Sequence, residues 1–175
     1  MKRWSTGTTA KSFAITREIA DATRAHLRAQ GRHKAEGVVL WRGTFEPPHI
    51  TAVIVPEQET SMGRFRVPLA ERQRIARELA GTGEMIVAQV HSHPHDAFHS
   101  PIDDEEAIPR RVGAYSLVIP DFGSRADLLD GAALFELAAD GQWRATPLDT
   151  FLLPASSGWL RCLIDTLKSF VRSHT

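Results

Sequence analysis

Four of the chain's eight histidines fall in one stretch, VAQVHSHPHDAFHSPIDDEEA, from Val87 to Ala107. Two of them, His91 and His93, close the apolar run EMIVAQVH (Glu84–His91) and its continuation. In a strand the side chains alternate between faces, so these two imidazoles project together at its C-terminal end. Pro94 then breaks the ladder and turns the chain, which lets Asp103 or Asp104 come back to the same place. Two imidazoles and one carboxylate leave a fourth tetrahedral position for water, the arrangement of a catalytic zinc rather than a structural one. No thiolate is required, in keeping with a single cysteine, Cys162. His95 and His99 have no place in this pattern and read as loop residues.

Water activated by a metal needs a base that takes its proton and passes it to the leaving amine. Glu36 stands directly before the apolar run GVVLWRG (Gly37–Gly43), where a neighbouring strand would carry it to the same sheet end. Glu46, Glu57 and Glu59 are rivals on loops. Glu105 and Glu106 read as the solvated first turn of a short helix, favourable near its positive end.

The elements that must position these groups follow from periodicity. SFAIT (Ser12–Thr16) predicts a short strand, with Thr16 as N-cap of a helix over Arg17–Gln30 stopped at Gly31. The β-branched runs Gly37–Gly43 and Ile50–Pro56 predict neighbouring strands joined by a Pro-rich turn. Thr60–Val67 has the polar, glycine-containing look of a surface loop, and Pro68–Gly81 predicts a helix with Leu69, Ile75, Ala76 and Leu79 on one face. Strands are expected at Glu84–His91 and Ala114–Pro120, with a hairpin from Ala132–Leu137 and Gln142–Leu148. The tail Gly158–His174 is amphipathic and predicts a helix packed on the sheet. The order α, β, β, α, β, β, β, β, α implies one mixed sheet with helices against it.

With 175 residues, 42% hydrophobic and 24% charged, the chain has the size and composition of one globular domain. We expect a loose segment over residues 1–11 and one domain over 12–175. Lys plus Arg equals Asp plus Glu at 21 each, which leaves no electrostatic footprint for nucleic acid. No apolar run has the length of a membrane span, and the start lacks the apolar core of a secretory signal. With a lone cysteine, these features predict a cytoplasmic protein. Trp41 beside the Glu36 strand is a candidate groove residue, and Cys162 reads as a small apolar residue of the tail helix.

The glutamate upstream, the HSHP and the aspartate beyond it resemble the JAMM motif of MPN-domain metalloproteases, zinc isopeptidases that remove ubiquitin or ubiquitin-like proteins. AEGVVLWRG is similar to the family segment bearing the catalytic glutamate, IVAQVHSHP to the strand entering the metal site and YSLVIPDFG (Tyr115–Gly123) to the next core strand. The likeness runs from about Ser12 to Gly141 and is nearest to the short prokaryotic stand-alone members. It implies an α/β (α+β) fold of the cytidine deaminase-like kind, a curved mixed sheet between helices. It also implies Zn²⁺ held by His91, His93 and Asp104, with Glu36 as general base and then general acid. Counting from His93 makes Asp104 the third ligand and places Pro101 where the family has a serine; Ser100–Pro101–Ile102–Asp103 keeps the Ser-x-x-Asp spacing one residue early. Ser100 or a backbone N–H would then stabilise the oxyanion. The implied substrate is a ubiquitin-like protein joined through its C-terminus to a lysine or peptide, in a bacterial conjugation or anti-phage operon with activating and conjugating enzymes. Met62, Phe65 and Arg66 occupy a region that contacts that partner in the family. Processing of a sulfur-carrier protein and a non-catalytic MPN scaffold are the alternative readings.

Overall fold

The computed structural model describes residues 12–152. The loose N-terminal segment expected over 1–11, the amphipathic tail and Cys162 lie outside the described residues.

The described chain begins with β1 (Phe13–Ala14) and α1 (Arg17–Gly31), followed by the antiparallel strands β2 (Val38–Phe45) and β3 (Pro48–Ile54). Thr16 caps α1, its hydroxyl accepting the amide of Ile19 at 3.3 Å, one of the four amides a helix start leaves without a partner. Next come β4 (Glu59–Ser61), β5 (Arg64–Arg66), α2 (Leu69–Leu79) and β6 (Met85–Ser92). The short α3 (Pro101–Glu106) leads to β7 (Tyr115–Ile119), β8 (Ala133–Leu137), β9 (Trp143–Thr146) and β10 (Phe151–Leu152).

Eight strands form one mixed sheet in the order β10-β1-β3-β2-β6-β7-β8-β9, and β4 and β5 form a separate hairpin. The β6–β7 pair is parallel, as are β1–β10 and β1–β3. Thr60–Val67, expected as a loop, is thus mostly hairpin: Thr60 pairs with Phe65, and Gly63 turns the chain at φ 81°.

Strand β2 sits in the middle and is buried on both faces. Val39 and Trp41 join the core beneath α1 with Ile19, Leu27, Val87 and Leu117. Val38 and Leu40 point the other way, into a second core with Phe65, Val67, Ile75 and Leu79. The sheet therefore lies between α1 on one side and α2 with the hairpin on the other. Trp41 is fully buried, its indole N–H donating to Thr23 Oγ1 at 2.9 Å, so it is a core residue and no part of a groove. Leu69, expected on the apolar face of α2, is 69% exposed. No helix of the described residues is long and apolar enough to cross a membrane.

Candidate metal centre

The site is assembled at the ends of β2 and β6, where the two strands run antiparallel with Val38 opposite His91. One step outward, Ser92 N–H donates to Gly37 O at 3.1 Å and Gly37 N–H to Ser92 Oγ at 3.3 Å. Continuing that register sets Glu36 opposite His93. Directly paired residues share a face, so Glu36, His91 and His93 all project to the side of the second core.

Each strand end is fastened from its other edge. The His93 amide donates to Ile119 O and the Phe122 amide to His93 O, both at 2.9 Å. Phe122 makes that bond from the left-handed region, at φ 53°. The Glu36 amide donates to Ser61 O at 2.9 Å, so the β4–β5 hairpin steadies the acid. Gln58 clamps Val38 by its side chain, accepting the amide at 2.8 Å and donating to the carbonyl at 2.9 Å.

His91, His93 and Asp103 form a group that could hold a metal ion, with one ligand atom of each lying within 4.8 Å of the others. They are 0%, 4% and 2% exposed. Asp103 Oδ1 lies 3.2 Å from His91 Nε2 and Oδ2 lies 3.5 Å from His93 Nε2. Among the described residues, neither ring nitrogen of the fully buried His91 has a hydrogen-bond partner. Buried polar atoms are costly to leave unmatched, and a cation between the rings and the carboxylate would satisfy the donor set. Two nitrogens and a carboxylate oxygen suit a borderline-soft divalent ion. Phe65 packs on His91 with ring centres 5.1 Å apart, and Phe98 meets His93 edge-on at 4.7 Å.

The titration behaviour follows from this burial. Desolvation pushes Glu36 up to about 7, an effect that the facing His93 partly offsets and Asp103 reinforces. Burial works the same way on Asp103 but loses to the adjoining imidazoles of His91 and His93, which hold it far below the usual carboxylate range. Burial lowers His91, the direction that keeps an imidazole neutral and able to ligate. His93 is desolvated too, yet the carboxylates of Asp103 and Glu36 outweigh that and raise it.

The third member is Asp103, which corrects the expectation of Asp104. Asp104 points away, its side chain 57% exposed and Oδ1 3.2 Å from His99 Nδ1. The reason is local. Ser100 caps α3, its hydroxyl accepting the Asp103 amide at 3.2 Å while the Asp103 carboxylate accepts the Ser100 amide at 2.6 Å. This reciprocal cap fixes Asp103 relative to Ser100, so the Ser-x-x-Asp unit stays intact and the loop before it is one residue shorter than the family spacing. Of the glutamates weighed as base, Glu36 is 3% exposed and inside the site, whereas Glu46, Glu57 and Glu59 are exposed on the surface. His99 belongs to a loop as expected, but its side chain packs between Phe135 and Trp143. Glu106, expected in solvent, is buried and accepts from Arg64 and Arg72.

Comparisons with known proteins bear on the family and the fold. Residues 16–126 match the family described as prokaryotic homologs of the JAB domain. A probable metalloprotease of Sinorhizobium fredii, y4jG, is 34% identical over 143 residues, covering 78% of this chain and 88% of its own. Among solved structures, a Desulfitobacterium hafniense protein has a TM-score of 0.61 at 18% identity, over 82% of this chain and 94% of its own. A Salinibacter ruber protein has a TM-score of 0.51 at 22% identity, over 82% and 92%. These two likenesses concern the fold. The family match, the metalloprotease relative and the His–His–Asp group together suggest a metal-dependent hydrolase, and the chain belongs to the prokaryotic JAB-domain family.

Proposed function

We propose that the protein is a zinc metallopeptidase of the JAMM type, cleaving the bond between the C-terminus of a ubiquitin-like protein and a lysine or short peptide. The observation that carries this reading is the position of Glu36: buried, and in phase with His93 beside the His91–His93–Asp103 group. A carboxyl so placed can take a proton from water at the metal and pass it on, as a residue that is first a base and then an acid must. His91, His93 and Asp103 would hold the zinc, which when bound supplies Lewis acidity toward water and the scissile carbonyl. Glu36 takes a proton from water at its carboxylate and returns it to the leaving amine. Ser100 uses its oxygen to cap α3, which leaves the hydroxyl hydrogen free to meet a developing oxyanion. Phe65 and Phe98 pack against the two imidazoles and hold their ring orientation. We further propose that the substrate is the ubiquitin-like protein of a bacterial conjugation operon, with activating and conjugating enzymes as partners.

The test joins metal analysis to mutagenesis. Purified protein should contain about one zinc and release a ubiquitin-like protein from a lysine-linked conjugate. Glu36→Gln should keep the zinc and lose cleavage, while His91→Ala should lose both. An active Glu36→Gln enzyme would overturn the role assigned to Glu36.

A further inference from the structure

Glu106 has no place in the chemistry above, yet it is a charged side chain only 6% exposed. Its Oε1 accepts from Arg64 Nη2 at 2.5 Å and its Oε2 from Arg72 Nη2 at 3.2 Å. Arg64 belongs to β5, Arg72 to α2 and Glu106 to α3, so one carboxylate ties three elements together. Arg72 is itself held, donating through Nε to Val67 O at 2.8 Å. A surface cleft of about 430 Å³ runs along this junction, lined by Arg64, Arg66, Leu69, Arg72 and Glu106 among others.

What the three elements carry gives the junction its meaning. Helix α3 carries Asp103, one turn before Glu106 and so on the same face. A helix of this length is marginal by itself and depends on tertiary anchors for its place. Strand β5 alternates, with Arg64 and Arg66 outward and Phe65 inward against His91. The same hairpin offers Ser61 O to the Glu36 amide. The Glu106–Arg64 pair thus spans the two sides of the site, Asp103 on one and Glu36 on the other.

We propose that Glu106 is a positioning residue: its bonds to Arg64 and Arg72 lock α3 against the β4–β5 hairpin, so that Asp103 sits at ligating distance from His91 and His93. This rests on the reading of those three residues as the metal-holding group. The test measures Co²⁺ affinity by competition with a chelator and the visible absorption of bound Co²⁺, with thermal melts as a control for folding. Glu106→Gln and Arg64→Met should each weaken Co²⁺ binding about tenfold and shift the absorption band, the usual scale for groups supporting a ligand shell. Arg64→Lys, which keeps the cation, should restore most of both. A folded Glu106→Gln protein with wild-type affinity and spectrum would overturn the proposal, as would a lowered melting temperature with both unchanged. If Glu106→Gln does not fold, Arg64→Met decides by the same criterion, its side chain being 52% exposed. A wild-type protein that takes up no Co²⁺ would instead defeat the metal reading itself, and this inference with it.

Discussion

Ser100 and Asp103 hold each other across one turn of α3, the hydroxyl accepting the aspartate's amide at 3.2 Å and the carboxylate accepting the serine's amide at 2.6 Å. The same carboxylate faces both imidazoles. Helix start and candidate ligand are therefore one unit. Ser100→Ala should cost about 1 kcal/mol of stability, the usual scale for a lost N-cap, and should also weaken metal binding. Chemical denaturation and chelator competition measure the two effects. Metal affinity unchanged in the destabilised variant would separate the cap from the ligand.

Asp103→Ala and Asp104→Ala form a paired test. Asp103→Ala should abolish metal retention, whereas Asp104→Ala should leave the metal content near one per chain and disturb only the contact with His99. Elemental analysis after dialysis against chelator reads both. Loss of metal in Asp104→Ala alone would restore the ligand expected from loop length.

The buried acid predicts a pH dependence of stability. Glu36 rises from an ordinary 4.5 to about 7 on folding, so between those pH values the folded protein keeps a proton that the unfolded chain has released. The contribution is thus fully present below about 4.5 and is lost as pH rises through about 7. In chelator-treated protein, Glu36→Gln should match the wild type near pH 5 and exceed it near pH 8 by on the order of 2 kcal/mol. Metal must be removed, because a nearby dication would pull the acid's pKa down. Denaturant curves at the two pH values check this, and a difference independent of pH would count against the raised value.

Phe65 and Met62 sit three residues apart in one hairpin and should behave oppositely. Phe65 is 1% exposed and packs on His91, so Phe65→Ala should cost about 3–5 kcal/mol. Met62 is 73% exposed, so Met62→Ala should stay within about 0.5 kcal/mol. Urea melts of the two variants decide.

Much of this arrangement is legible in the sequence wherever a period is long enough to register. The Thr16 cap, α1, α2 and the strands β2, β3, β6 and β7 follow from apolar spacing, and strand alternation alone brings His91 and His93 together. What is missed depends on contacts distant in sequence. The three-residue strands β4 and β5 carry one inward apolar side chain, Phe65, too little for a visible pattern. The two residues of β10 are a strand only through their pairing with β1. Nothing local marks Glu106 as buried, since its arginines come from β5 and α2. Asp103 is a different case, because its signal, a serine three residues earlier, is present in the sequence. Helical spacing from Ser100 points to Asp103 and loop length from His93 to Asp104, and the loop is the softer of the two.

The ladders around β2 also show where the chain tolerates a change of length. Their misfits lie toward one end, where Val87 in β6 and Thr51 in β3 are extra residues without a counterpart in β2. From Glu36 to Trp41 the match with β6 is unbroken. A single insertion there would turn the acid to the opposite side of the sheet and silence the site without unfolding it. The same insertion beside Val87 or Thr51 enlarges a bulge that already exists, provided it falls on the side away from His91. A library of one-residue insertions and deletions should therefore divide sharply near Trp41, with lengths frozen on the metal side and free to drift beyond it.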